Sequence, residues 1–432
     1  MTGGDIPFVT LRPDSLWRHR HFMRLWSAQT VSLLGDQISF LALPLTAVLV
    51  LHASSLQMGL MVALGGLPSI LFGLLIGAWI DRRARKPVLL AADIGRFLLL
   101  ALIPLLHEFD LLTIGALYVI TFFVGFLSLS FDVANRSLLP SLVERTRLID
   151  ANGKLELSRS ASVIAGPALA GGLVQLLTAP LAIGFDALSF LISALVIKTI
   201  DLREEIASDQ GDEKWLWNEM RGGARFVLAH PVIRAIFATS GTLSFFDTML
   251  EAVFLLYLTR SLGLSAGLIG LIAAAGNVGF MIGALITPIT RRLGTGTTIV
   301  SGIVLLAAGD LVMPAVNRSI PLLIPLLVGG HFLFGLGFTL YNVQQTSARQ
   351  SLTPNGMLGR MNAGYRFLVS GIGPLGALAG GALGGVLGFR ATLLLAGAGE
   401  LAAVVWLLFS PVRGLGSLQD DLTVATGTAE QR

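Results

Sequence analysis

The sequence predicts an all-α integral membrane protein: twelve transmembrane helices in two six-helix bundles related by a parallel pseudo-two-fold repeat. Three observations lead there. Of 432 residues, 54% are hydrophobic and only 13% charged, against about 25% charged in a typical soluble domain. Apolar runs of spanning length recur twelve times. Short patterns in the first half return in the second at a nearly constant offset. A soluble globule would lack the charge to cover its surface, and disorder needs the opposite composition. Twelve spans of about 20–25 residues occupy about 240–300 residues, which leaves short loops and one larger connection.

Other totals exclude whole classes of function. The chain has no cysteine, hence no disulfide framework, thiolate metal site or Cys nucleophile. Its six histidines are scattered without H-x₃-H or H-E-x-x-H spacing. No nucleophile–base set or phosphate loop appears, so no enzyme activity, metal or cofactor is expected. The net charge of +4 comes from basic residues dispersed over many short loops, a pattern of membrane orientation rather than of a nucleic-acid face.

Charge, Gly and Pro breaks place the spans at about 22–51, 57–80, 87–107, 111–135, 157–178, 180–199, 232–258, 265–289, 295–315, 320–347, 363–386 and 388–410. With the N-terminus inside, 26 of the 30 Lys and Arg lie on the cytoplasmic side. Arg260, Arg318 and Arg390 lie outside, and Arg96 lies within a span. That asymmetry predicts a plasma-membrane (inner-membrane) protein with both termini cytoplasmic. The expected domains are a first bundle over 1–200, a cytoplasmic linker over 201–231, a second bundle over 232–411 and a disordered tail over 412–432. In the linker, Trp215, Trp217, Met220 and Phe226 interleave with Lys214, Arg221 and Arg225. This suggests a helix at the inner interface; a plain linker with aromatic anchors is the alternative.

The halves match in order and in the same sense. F-D-V-A-N-R-S (131–137) aligns with Y-N-V-Q-Q-T-S (341–347), and Asn152 with Asn362, both at an offset of 210. Gly166-Pro167 aligns with Gly373-Pro374 (207), Asp36 with Asp247 (211) and Gly77 with Gly283 (206). A parallel repeat puts a cavity on the pseudo-two-fold axis, exposed to either side as the halves rock.

The loop after the second span, G-A-W-I-D-R-R-A-R-K (77–86), is similar to the signature G-x-L-x-D-R-x-G-R-K of the major facilitator superfamily, with Trp79 for Leu and Ala84 for Gly. Its weaker second copy, G-A-L-I-T-P-I-T-R-R (283–292), has Thr287 in place of the acid. Within the superfamily the chain resembles the macrolide and enterobactin exporter group of drug:proton antiporters. The stretches that carry this are 24–36, 136–143, 184–194 and 224–235, together with S-x-x-x-G-P-x-x-A-G-G (162–172) in the fifth span. The resemblance implies a secondary transporter, a small-molecule substrate, protons as coupling partner and no cofactor. It also implies that Gly77, Asp81, Arg82, Arg85 and Arg136 gate the cytoplasmic side. There Asp81 pairs with Arg136 and faces the N-terminus of the eleventh span, where the dipole favours an anion.

An ionisable residue inside a span costs at least ~2.5–3.5 kcal/mol near the centre and is kept for function or pairing. Asp36 and Asp247 fall at or beyond mid-membrane, and Glu251 lies one turn above Asp247 on the same face. These three are candidates for proton or substrate coupling, or else for interhelical hydrogen bonding. Asp132 is a relay or a structural partner of Arg136. Asp93 and Arg96 neutralise each other or Asp132, Asp186 reads as structural, and Asp310 and Glu400 have no assigned partner. Gln29, Phe40, Phe245, Phe246, Asn277, Tyr341, Asn342 and Gln345 are candidates for the substrate cavity, beside Phe338 and Gln344. Gly166-Pro167 and Gly373-Pro374 are candidate hinges. The expected protein is a monomeric, proton-coupled exporter of amphipathic molecules such as drugs, macrolides or siderophores. A lysophospholipid flippase, a nutrient importer and a non-transporting sensor are the alternatives.

Overall fold

In a computed structural model, which describes residues 16–201, 213–290, 293–316 and 321–414, twelve helices are long and apolar enough to cross a membrane. The first six spans are α1 (Arg20–Leu45), α2 (Ser55–Asp81), α3 (Arg85–Glu108), α4 (Ile114–Leu142), α5 (Leu148–Leu176) and α6 (Ala179–Lys198). A linker helix, α7 (Glu213–Ala229), follows. The second six are α8 (Pro231–Leu256), α9 (Ala266–Thr290), α10 (Thr295–Ala315), α11 (Leu323–Ser351), α12 (Leu358–Val386) and a last span broken into α13 (Phe389–Ala402) and α14 (Val404–Leu408).

The largest differences from hydropathy are at α4 and α5. α4 runs on to Leu142, and α5 begins at Leu148, well before the apolar stretch. Helical hydrogen bonds close within the segment, so a helix can leave the bilayer and continue with polar side chains in water. Asp132 is therefore ten residues from the end of α4. The tail from 415 onward lies outside the described residues.

Side-chain caps start five of the spans. Ser54 and Gln57 form a reciprocal capping box at α2, and Thr113 and Thr178 cap α4 and α6. His19 Nδ1 accepts from Phe22 N at 3.1 Å to cap α1. His230 Nδ1 accepts from Ile233 N at 3.4 Å to cap α8. These histidines are 211 residues apart, the offset of Asp36 and Asp247. A π-helical turn ends the first span (Thr46–Val50) and another ends the seventh (Tyr257–Ser261), again at that offset.

Packing repeats as well. α1 packs on α5 and α6, α2 on α4, and α3 on α4 and α6. In the second half α8 packs on α12 and α13, α9 on α11, and α10 on α11 and α13. Between halves, α2 meets α12 and α5 meets α9, which the pseudo-two-fold exchanges. The linker helix is tied to the second bundle, packing on α12 and α8. A methyl group at Gly223 would run into the backbone at Arg360, so glycine lets the two helices touch. The side chains of Trp215, Trp217 and Met220 lie outside the described residues.

Candidate functional site

In the first bundle, one arginine draws together acids of α1 and α3. Arg96 on α3 is bonded to Asp93 and lies 3.9 Å from Asp36 on α1. Its guanidinium is sandwiched between the rings of Phe190, 3.9 Å from the centroid, and Phe131, at 4.5 Å. Asp93 also accepts from Ser193 Oγ at 2.6 Å. Asp186 on α6 accepts from Ser39 and from Ser189, the latter at 3.0 Å. Asp93, Arg96 and Asp186 are buried, whereas the Asp36 side chain is 42% exposed. Asp36 is thus the member of the cluster that opens towards solvent, and Arg96 turns to Asp93 and Asp36. Asp132, on the next helix, stands in the field of Arg136, Arg96 and Arg159.

Gly35 is what allows α6 this close to α1. A methyl group there would collide with Asp186 Oδ1 and Ser189 Oγ, and would lie 2.8 Å from Ser189 Cβ. Gly35→Ala is expected to destabilise the bundle by about 1–3 kcal/mol, the usual cost of overpacking. The measurement is thermal unfolding of the purified protein; an unchanged midpoint would contradict it.

Asp36 stands sixteen residues beyond Arg20 and Asp247 sixteen beyond Pro231, so the two acids occupy equal depths, ~24 Å along their helices. One turn on, Glu251 reaches a cavity of about 530 Å³ between the halves. Its wall is formed by α1 (Ser39, Phe40, Leu43), α2 (Met58, Met61, Val62), α8 (Ser244, Thr248) and α12 (Ser370, Gly373, Pro374), with Thr121 from α4. Among the described residues of that lining, Glu251 is the one that carries a charge.

The halves close on one side of this cavity. Gly59 on α2 packs against Ala377 and Gly381 of α12, and Gly270 on α9 against Pro167 and Gly171 of α5. Added methyls at Gly171 and Gly381 would stand 2.5 Å from the Ala266 carbonyl and 2.7 Å from that of Ser55. Each contact is the pseudo-two-fold copy of the other. Arg260 donates to the Ala53 carbonyl at 2.8 Å, and Gln175 accepts from Gly267 N at 3.4 Å, across the same side. Gly66, Gly73 and Gly77 continue the face of Gly59 along α2, yet methyl groups on them would meet nothing within 4 Å.

Several sequence candidates sit elsewhere. Phe40 lines the cavity, but Phe246 packs against Gly399 of α13, and Phe245 stacks edge-on against Phe246. Gln29 is buried and donates to Asn135 of α4. Tyr341 is also buried, in a network with Ser240, Tyr365 and Gln345 beneath the Arg349 guanidinium, which lies 3.5 Å over the Tyr365 ring. Asn342 accepts from Gln345 at 3.0 Å at its exposed edge. Asn277 joins the halves: its Nδ2 donates to the Val163 carbonyl of α5 at 2.7 Å, and its Oδ1 is 3.0 Å from His331 Nε2. Amphipathic helices bury polar groups towards their own bundle as well as towards a pathway, and composition does not separate the two faces.

Among the gating candidates, Asp81 ends α2, but its side chain lies outside the described residues. Arg82 borders a second groove, between α2, α3 and α4, with Trp79 and Arg83. Arg85 begins α3, and Arg136 is exposed near the end of α4. Lys86 and Arg24 have a local task that the sequence reading missed, donating to the carbonyls of Ile200 and Thr199 at the end of α6. Pro167 and Pro374 lie inside unbroken helices. Their alignment is one turn out of register: at the glycine contacts the offset is 210, so Pro167 corresponds to Ala377. Likewise Gly283 does not copy Gly77, because it packs on Thr339 of α11 while Gly77 faces open space.

Two six-helix bundles in parallel repeat around a central cavity are the architecture of a major facilitator transporter. The chain belongs to the transmembrane secretion effector family of that superfamily, whose pattern matches residues 13–425. It is 29% identical over 354 residues to the enterobactin exporter EntS of Salmonella typhi, covering 80% of this chain and 81% of that one. It is 26% identical over 370 residues to the multidrug efflux pump Tap of Mycolicibacterium fortuitum, covering 83% and 88%. Among solved structures, a bacterial homologue of the iron transporter ferroportin shares the fold at 20% identity, covering 90% of this chain and 98% of that one. The TM-score is 0.73 for its inward-facing state and 0.58 for its outward-facing state.

Proposed function

We propose that this protein is a proton-coupled exporter of amphipathic small molecules that works by alternating access. In this reading residues 1–200 and 232–411 are the two rocking bodies, joined by the linker over 201–231. The basic face is cytoplasmic, and the conformation described is open to the cytoplasm. The observation that carries the proposal is Glu251, a single carboxyl group in an otherwise apolar and hydroxyl-lined cavity between the halves. Desolvation disfavours the charged form of a carboxyl group, which suits it to exchanging a proton for cargo. A wall with one acid and no basic residue fits neutral or cationic amphiphiles better than anions. The similarity to an enterobactin exporter and a drug efflux pump supports export.

The test is reconstitution in liposomes with an imposed pH gradient and a panel of neutral, cationic and anionic amphiphiles. The expected result is substrate-dependent proton flux with the neutral or cationic members; no such flux with any member would defeat the proposal. Glu251→Gln is expected to lower gradient-driven transport about 10²-fold or more while keeping substrate counterflow. Asp36→Asn tests the equivalent acid of the first bundle. Full gradient-dependent transport in that variant would remove Asp36 from the coupling role.

A further inference from the structure

The acids of the two bundles are treated differently. In the first, Asp93 pairs with Arg96 and accepts from Ser193, and Asp186 accepts from Ser39 and Ser189. In the second, α10 brings Asp310 against Glu400 of α13, and among the described residues no cation bonds to the pair. Both are buried, Asp310 at 2% exposure and Glu400 at 0%. They face one another at hydrogen-bonding range. Yet neither oxygen of Glu400 nor Oδ2 of Asp310 has a donor from any neighbouring group. Two ionised carboxylates are acceptors only, and a pair of them out of water costs several kcal/mol per ion before their mutual repulsion. One proton between them removes both difficulties, because the protonated member becomes the missing donor.

The surroundings support a proton rather than another ligand. Asp247 on α8 is the charged group whose field reaches the pair, and it adds negative charge. Glu251 on the same helix faces the central cavity. On α11, His331 turns to Asn277 of α9, and Arg349 to Tyr365 of α12. Arg390, at the start of α13, donates to the Pro314 carbonyl. No cluster suited to a metal ion occurs among the described residues. We propose that Asp310 and Glu400 form a proton-holding site inside the second bundle, with one proton shared between the two carboxyl groups.

The pair's role in transport rests on the proposed proton coupling; its possession of a proton does not. The first measurement is therefore infrared difference spectroscopy of the full-length protein in lipid nanodiscs as pH is raised. A protonated carboxyl band that persists after the exposed acids have ionised is expected, and Asp310→Asn together with Glu400→Gln is expected to remove the pair's share of it, leaving that of Glu251. Absence of the band in the wild type overturns the proposal, as does a band of undiminished intensity in the double variant. Loss of the band on adding sodium at constant pH would assign the site to a metal cation and overturn it equally. The second measurement is pH-gradient-driven transport by Asp310→Asn, an isosteric change, expected to fall about tenfold or more. Unchanged transport would make the pair structural and leave the exporter reading intact. Absence of proton flux in the wild type with the band present would defeat the exporter reading instead.

Discussion

Replacing Gly59 and Gly270 together with valine is expected to shift the protein from a conformation open to its basic face to one open to the opposite face. These glycines sit where α2 crosses α12 and α9 crosses α5, with the partner carbonyls of Ala377 and Pro167 in the space a side chain would need. The obstacles are backbone atoms on both sides, so no rotamer change can make room, and the helices must part. Among the described residues, the same face of α2 is open further towards the basic side, at Gly66, Gly73 and Gly77. Parting one side of two rigid bodies that rock about a central cavity closes the other. The protein has no cysteine, so spin labels placed at Leu157 on α5 and Phe367 on α12 report this without background removal. The distance between them is expected to shorten in the double variant, with transport reduced about tenfold or more because a closing contact is lost. An unchanged distance distribution would show that the glycine contacts do not set the conformation.

Arg96→Met is expected to be the most damaging single substitution in the first bundle. The guanidinium is buried, bonded to Asp93, close to Asp36 and stacked between Phe131 and Phe190. Removing it leaves Asp93 buried with, among the described residues, the Ser193 hydroxyl as its donor. Breaking a buried pair by removing one partner costs about 3–5 kcal/mol, whereas removing both charges is often neutral. The double variant Arg96→Met with Asp93→Asn is therefore expected to recover most of the thermal stability lost by Arg96→Met alone. If the double variant is as unstable as the single one, the cost lies in packing between the two rings rather than in charge.

The spans were legible because hydropathy reports the bilayer directly. What it does not report is where a helix stops once it leaves the bilayer, hence the long polar ends of α4 and α5. The repeat was legible from Asp36 and Asp247, and the histidine caps at 19 and 230 carry the same signal at the same offset. The Gly-Pro pairs misled by one turn, because a helix can set a proline against a neighbour at more than one register. Partnership among the acids was the least legible feature. Asp93 and Ser193, or Asp310 and Glu400, are about a hundred residues apart, and no local pattern says which faces of two amphipathic helices will meet.

By itself, the sequence determined that this is a twelve-span membrane protein with two equivalent halves, because low charge, spanning length and a constant offset survive any arrangement of the helices. It also determined that acids stand at equal depth in the first and seventh spans, because depth follows from counting along a helix. Only the tertiary structure decided which acids are neutralised, which one reaches the cavity and which pair is left without a donor. Those outcomes depend on the azimuth of each helix and on how closely glycine lets backbones approach. Burial and hydrogen bonding across helices are set by those two quantities.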